Sequence, residues 1–563
     1  MKIKNKKIVA CIVVFLALFF WKGQMQVTLA ETNQNNNADF VITDKGKTLE
    51  GYKGNMEEVI IPEGIVVISE FAFKNNSNVK KVVLPNSVTT IGKDAFYGCT
   101  NMENINIPNS VISLGDSAFS KCTSLKSITL PQSIQFVGDD VFGNCTSLET
   151  ITVSKGVPLN NVTMLEGTEW LNIEREKGLV IINDILLDGT NCEGKVVIPS
   201  KVKQIGEGAF YQARYITSVT IPDSVTSIGS YAFKECSRLT KVIMGKGVKS
   251  IGHFTFFGCR KLETITVPDT IESIGQSAFE KTIWIENQRK KNPLVIIGTI
   301  LIDGKTAEKK VVIPSKVKVI NELAFEYNEK ITSIDLGEVE TVGFAAFLEC
   351  TNLSSVVFSK KLTSLPEHMF DGCASLNKVT VPNHIKSIST AFIKSGIVSI
   401  TLPKNLSKID DGAFFECEKL VSIKIPNTVK EIGEKAFVRC WSLKQIVIPD
   451  SVKKLGISAF QGCISLEKVT LSKNLSELMD GTFENCSKLT TIELPSRITT
   501  LGNRTFYYCD LKKIVLDKNI KSVGGKCFDE NQNLVLTVKG NKNLYNELKE
   551  EVEGIKKLVY VAK

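Results

Sequence analysis

Histidine is the scarcest chemistry-bearing residue here: His253, His368 and His384 are the only 3 in 563 residues. So little imidazole leaves hardly any material for general acid/base work or a His-based zinc site. The chain also lacks His-Glu-x-x-His, Gly-x-Ser-x-Gly, a Gly-x-x-x-x-Gly-Lys-Ser/Thr phosphate loop, a dinucleotide fingerprint and any Cys-x-x-Cys pair. No catalytic, cofactor-binding or metal-ligating residue is assigned, no cofactor is implied, and the chain is not read as an enzyme. A carboxylate pair assembled only by folding would escape a search by spacing. Beyond the first thirty residues no apolar run approaches the ~20 residues of a spanning helix, so no stable membrane insertion of the mature chain is expected. A basic surplus is nearly absent too. The full chain carries 69 Lys+Arg against 60 Asp+Glu, but five of those Lys lie in the first thirty residues, where there is no acid. The remainder has 64 basic and 60 acidic residues, a balance of +4 that gives nucleic acid no clustered basic face.

The N-terminus explains the displaced charge. Lys2, Lys4, Lys6 and Lys7 precede an apolar stretch from Ile8 to Trp21, and Thr28-Leu29-Ala30 supplies small residues for cleavage. This reads as a secretory signal peptide over residues 1–30, and fourteen apolar residues are too few for an anchor. A secreted, or noncovalently surface-held, mature chain is expected.

What the chain has in surplus is phenylalanine, in one phase. Phe73, Phe96, Phe119 and Phe142 form a first run; Phe210, Phe233, Phe256 and Phe279 a second; and ten more continue from Phe325 to Phe528, every step being 22 or 23 residues. One copy runs from Leu125 to Ser147. Leu125, Ile128 and Leu130 alternate with outward Thr129, a short strand with one buried face. Pro131 follows, and thirteen of the 16 Pro hold that post-strand place, where a residue without an amide donor stops the ladder. Val137-Gly138 then supplies an inward apolar residue and a turn, and Val141-Phe142-Gly143-Asn144-Cys145 completes the coil as a short helical turn. One coil cannot bury its own apolar side, whereas stacked coils share a core.

The pattern Ile-x-Leu-Pro-x-x-Val-x-x-Ile-Gly-x-x-Ala-Phe-x-x-Cys, recurring from about residue 50 to 530, resembles the BspA-like class of bacterial leucine-rich repeats. The expected fold is an α/β solenoid of 22- to 23-residue repeats, with a parallel β-sheet on one face and short helical turns on the other. The resemblance implies surface or secreted proteins used for adhesion and for binding host or matrix proteins.

Two interruptions match each other. Trp170-Leu171-Asn172 and Leu179 to Gly189 parallel Trp284-Ile285-Glu286 and Leu294 to Gly304, and Asn183-Asp184 and Gly298-Thr299 separate paired apolar runs as hairpin turns do. The division expected is a cap over 31–62, repeats over 63–165, a β-hairpin insert over 166–198, repeats over 199–279, a second insert over 280–313, repeats over 314–530 and a C-terminal cap over 531–563. The inserts read as sheet-continuing variants, with ligand binding as the alternative. Gln288-Arg289-Lys290-Lys291 reads as a solvated basic loop.

Two columns remain. Twelve of the 15 Cys lie three residues after a phased Phe, among them Cys99, Cys122, Cys350 and Cys463. Coils stack at about 4.8 Å, whereas a disulfide wants Cβ atoms about 3.8 Å apart. A ladder of buried free thiols is favoured over disulfides. The outward strand position is the candidate contact face. It carries Thr129, Thr152, Thr220, Thr266, Thr380, Thr401 and Thr470, with Asp335, Lys424 and Glu493 as its charged members. Thr also suits a strand on its own account. The leading expectation is a protein or extracellular-matrix partner bound by adhesion or recognition, and the alternative is an envelope structural protein binding cell-wall polymer.

Overall fold

The computed structural model describes residues 39–159 and 161–562; the leader at 1–30 lies outside them. The chain divides into two compact units, one taking the described residues up to Ser218 together with Ile228–Ser237, the other Val219–Ser227 and Arg238–Lys563. In both, each coil contributes to three ladders running from coil to coil.

The first ladder is the strand before proline. In the first unit Glu58–Ile60, Lys81–Val83 and Asn104–Ile105 pair in parallel, as do Ser127–Leu130 and Thr150–Val153. In the second unit Lys378–Thr380, Ser399–Thr401 and Ser422–Ile423 form one such sheet, and Gln445–Val447 pairs with Lys468–Thr470. Partners lie one period apart, Thr129 opposite Thr152 and Ile446 opposite Val469, so the repeat length and the strand register are the same number.

A second ladder, of two-residue strands, forms at the Val-x-x-Ile-Gly segment. Val67–Ile68, Thr90–Ile91, Ser113–Leu114 and Phe136–Val137 stack in parallel in the first unit. Lys408–Ile409, Glu431–Ile432 and Lys454–Leu455 do so in the second. The glycine that ends each strand is demanded by this stacking. A Cβ on Gly115 would sit 2.5 Å from the backbone nitrogen of Lys93, one coil back, closer than non-bonded atoms approach.

The third ladder overturns the expected helical turns. Around Phe96, Asp94 and Gly98 take φ of 52° and 70°; around Phe119, Ser117 and Lys121 take 52° and 59°. A left-handed residue on either side of the Phe breaks any helix. The freed amides point along the stack: Asp94, Phe96 and Gly98 donate to the carbonyls of Asp116, Ala118 and Ser120 at 2.8–2.9 Å. Inter-coil bonding has displaced i→i−4 bonding, and the α/β description fails with it. Apart from 3₁₀ backbone at Asp39 and Thr163–Leu165, helix among the described residues is confined to α1 (Glu169–Glu176), α2 (Ile283–Lys291) and α3 (Lys542–Glu551).

Between the ladders lies the core. Within a run the phased Phe rings stack on one another, 4.9 Å and 15° for Phe73 on Phe96, 5.1 Å and 2° for Phe437 on Phe460. All are essentially inaccessible to water; those from Phe73 to Phe142 lie within an apolar column from Phe40 to Leu187 in the first unit, and those from Phe325 to Phe528 within one from Leu301 to Leu548 in the second.

Both interruptions contain a helix before the hairpin. Thr168 and Thr282 occupy the place where other coils carry the Cys. Their hydroxyls donate to the carbonyls of Leu165 and Phe279 (2.8 and 2.7 Å) and accept from the amides of Leu171 and Ile285, which makes them the N-caps of α1 and α2. After α1, Val180–Ile182 and Ile185–Asp188 pair antiparallel; after α2, Val295–Ile297 and Ile300–Asp303 do the same. The run Gln288-Arg289-Lys290-Lys291 is therefore the last turn of α2, not a loop. At the chain ends, Phe40–Thr43 pairs antiparallel with Thr48–Tyr52 in the first unit, and α3 packs near the edge strand Lys557–Val561 in the second.

Candidate functional site

The strands of the first ladder turn their flanking residues outward around a buried or half-buried central one, since successive side chains alternate. Of the candidate contact residues, Thr129 and Thr152 are exposed and lie opposite each other, as do Thr380 and Thr401. Lys424 is exposed one residue beyond Ser422–Ile423, in the coil after Thr401. Thr266 and Thr470 are exposed, but their neighbours in register are Ile243 and Val447 rather than other candidates. Thr220 is half-buried. Asp335 is half-buried between Val312 and Val357, and its carboxylate accepts the Gly337 amide at 3.0 Å, so part of its capacity is spent on its own turn. Glu493 is exposed, two residues past the Thr491 bridge.

The sequence reading missed the apolar members of this row. Val197 in the first unit, and Val312, Val357 and Val447 in the second, stand in the same register position and are 54–69% exposed. Their signal was available, because Val197, Val312 and Val447 each stand two residues before a proline, as Thr129 does. In each unit the face thus carries β-branched, mostly uncharged side chains, hydroxyl-bearing in some coils and hydrocarbon in others.

The cysteine column has a different task. All fourteen described cysteines are free, and thirteen are buried. The thiols of Cys99, Cys122 and Cys145 donate to the carbonyls of Phe73, Phe96 and Phe119 in the preceding coil at 3.1–3.2 Å, and those of Cys463 and Cys486 to Phe437 and Phe460 at 3.2–3.3 Å. At several coils where Cys is replaced a small donor takes its place: Ser395 donates to Phe392 O at 2.7 Å, and Asn328 Nδ2 to the carbonyls of Gly304 and Ala307; at Ala213 the donor is lost. Burial pushes the thiols of Cys99, Cys350, Cys417, Cys463 and Cys509 up to about 12. At neutral pH they are neutral donors, inert as nucleophiles or metal ligands.

Charge is also spent internally at the two inserts. In the first unit Arg175 of α1 reaches Glu166 in bidentate fashion (2.8 and 2.9 Å) and Asp188 at 2.7 Å. In the second, Arg289 of α2 reaches Asp303 at 2.6 Å and Glu280 at 2.8 Å. Burial raises Asp303 above the usual carboxylate range, against the pull of Arg289. Burial pushes Glu280 the same way, but Lys305 and Arg289 overcome it and hold Glu280 low. These pairs pin helix to hairpin. Among the three histidines, His368 meets Asp371 at 2.9 Å and His384 the Ser359 carbonyl at 3.0 Å. Among the described residues no group of three His, Cys, Asp or Glu is placed to hold a metal ion, and no helix is long and apolar enough to cross a membrane.

Known proteins resemble this arrangement. A leucine-rich cell surface protein of Faecalibacterium prausnitzii is 24% identical over 77% of this chain and 92% of its own (TM-score 0.24). The leucine-rich repeat protein of T. pallidum is 25% identical over 46% of this chain and 96% of its own (TM-score 0.21), and one from Bacteroides ovatus is 18% identical over 93% of both (TM-score 0.19). No curated protein matches. The model of the BspA type leucine rich repeat region matches residues 50–163, 180–301, 296–421 and 407–535. With most of its length matched and its period written into strand register, phenylalanine stack and donor column alike, the chain belongs to the BspA-type leucine-rich repeat family.

Proposed function

We propose that this is an exported protein, free or held noncovalently at the cell surface, that recognises a protein partner of the host or matrix through the outward face of its first strand ladder. The leader Lys2 to Ala30 supports export, and a family of repeat proteins devoted to protein recognition supports the activity. One observation carries the reading: valines and threonines stand exposed in a register row where solvation alone favours charge. Thr129, Thr152, Thr220, Thr266, Thr380, Thr401 and Thr470 contribute hydroxyls to that row, and Asp335, Lys424 and Glu493 punctuate it. The division into caps, repeat blocks and inserts serves the same end, with the inserts continuing the sheet and pinning it by their half-buried arginines. No cofactor, metal or nucleic acid takes part in this reading.

The test is a binding assay of the full chain against a panel of purified host and matrix proteins, beside purified cell wall. Thr380→Lys with Thr401→Lys, a pair of exposed substitutions on the face, is expected to lower retention of the partner at least tenfold while melting stays unchanged. Retention on wall material alone, in the absence of any protein partner, would replace this reading with that of an envelope structural protein.

A further inference from the structure

The rows of the second unit are not uniform. Over four successive coils the residue just before each strand is Val398, Val421, Lys444 and Glu467, stacked by amide-to-carbonyl bonds of 3.1, 3.2 and 2.9 Å. Val398 and Val421 are exposed. Three residues ahead of Lys444 stands Trp441, 41% exposed, and three ahead of Glu467 stands Ile464, 44% exposed. The Ser442 amide donates to the Glu418 carbonyl, which sets the Trp441 turn directly on the turn that leads into Val421. An exposed indole and three branched aliphatics are thereby gathered beside the strand face, where Val447 adds a fourth. Trp is the residue most enriched among binding hot spots.

The charges here are unbalanced in a particular way. Lys408 and Lys454 on the second ladder share Glu431 between them at 3.5 Å. On the first-ladder face of the same coils, Lys424, Lys444 and Lys468 have no ion-pair partner among the described residues, and Glu467 is the only carboxylate within, or one residue before, the four strands concerned. Lysines without an ion pair beside exposed hydrocarbon fit an anionic partner.

We propose that this surface docks an extended, acidic polypeptide segment that carries aromatic or aliphatic side chains. Its apolar residues cover Trp441 and the valines, and its carboxylates meet Lys424, Lys444 and Lys468. The rows run from coil to coil over four successive coils, which suits an extended segment laid along them rather than a compact epitope, and the hydrocarbon beside the lysines suits a polypeptide over a sugar-phosphate polymer. The proposal rests on the strand-face reading and sharpens it to a partner chemistry.

The probe is a fluorescently labelled random copolymer of Glu and Tyr, titrated with the full chain at physiological salt, with polyglutamate and a Lys-Tyr copolymer as comparators. The Glu-Tyr copolymer is expected to bind and to shield Trp441 from acrylamide. Trp441→Ala is expected to weaken it roughly thirtyfold, as loss of a hot-spot residue does. Lys424→Glu with Lys444→Glu is expected to weaken it about tenfold. The same charge change placed off the face, Lys430→Glu with Lys453→Glu, is expected to have little effect. Melting of each variant verifies the fold. Equal binding of polyglutamate, equal loss from the off-face pair, or no binding of the Glu-Tyr copolymer overturns the proposal. If partner binding falls with Thr380→Lys and Thr401→Lys but not with Trp441→Ala or the lysine reversals, the strand face stands and the acidic partner falls; if none of these matters, both fall.

Discussion

The thiol column makes the protein sensitive to alkali, and the size of the effect follows from its burial. In the second unit Cys350, Cys417, Cys463, Cys509 and Cys527 are each raised from an ordinary 9.0 to about 12 by desolvation. The unfolded chain therefore ionises first. Stability from each neutral thiol is complete below pH 9 and is lost as pH climbs towards 12, because the unfolded state sheds its proton while the folded state keeps it. At pH 10 the loss is about 1.4 kcal/mol per thiol, on the basis of 1.36 kcal/mol per pKa unit. The five together come to about 7 kcal/mol, comparable with the whole stability of an ordinary domain. Urea unfolding at pH 7 and pH 10 in a phosphine reductant measures this directly. Cys463→Ser, whose hydroxyl still reaches the Phe437 carbonyl but does not titrate, is expected to shrink the pH 7 to pH 10 difference by about 1.4 kcal/mol. Thiol labelling at pH 8 adds an independent reading: the folded thiolate fraction is about a thousandth of the unfolded one, so native labelling is expected to be slower by at least that factor. A pH dependence unaltered by Cys463→Ser, or native thiols that label as fast as denatured ones, would refute the reasoning.

Three further outcomes test the packing. Phe437→Ala removes a ring stacked 5.3 Å from Phe414 and 5.1 Å from Phe460; a loss of about 3–5 kcal/mol is expected, with hydrogen exchange accelerated in coils 414–460 and little changed at the distant coils. Gly115→Ala drives a methyl group against the Lys93 backbone and is expected to cost about 1–3 kcal/mol, read as a lower melting temperature. Arg289→Met leaves the Asp303 carboxylate buried without its partner and is expected to cost about 3–5 kcal/mol in urea unfolding, whereas Lys177→Met at an exposed pair costs well under 1 kcal/mol.

How much of this was written in the sequence depends on how each feature is encoded. The coil period was legible because one large residue per turn must be buried, so phenylalanine marks phase wherever it recurs. The first strand was legible because alternation survives over Leu125 to Leu130. The second ladder was not, because strands of two residues such as Thr90–Ile91 are too short to show a period. The turn was misread as helical because its left-handed positions carry residues as unlike as Asp94, Ser117, Tyr231 and Phe254, and glycine marks only some of them. Helices α1 and α2 were missed although a signal existed: Thr168 and Thr282 replace Cys in the donor column, and a threonine there caps a helix. On the face itself, attention to hydroxyls concealed the valines, since inward and outward hydrocarbon look alike until the register is known.

The ladders join residues 19 to 26 positions apart, among them Phe119 on Phe142 and the Cys463 thiol on the Phe437 carbonyl. Set against the length of the chain, that is a relative contact order of about 0.04, below that of small helical bundles. A coil can close as soon as the next one exists, without waiting for distant sequence. Under the export proposed above, a dozen phased cysteines would enter an oxidising compartment in a race between burial and oxidation, and short-range closure favours burial. The coil length that sets strand register therefore also sets how long each thiol remains open to mispairing.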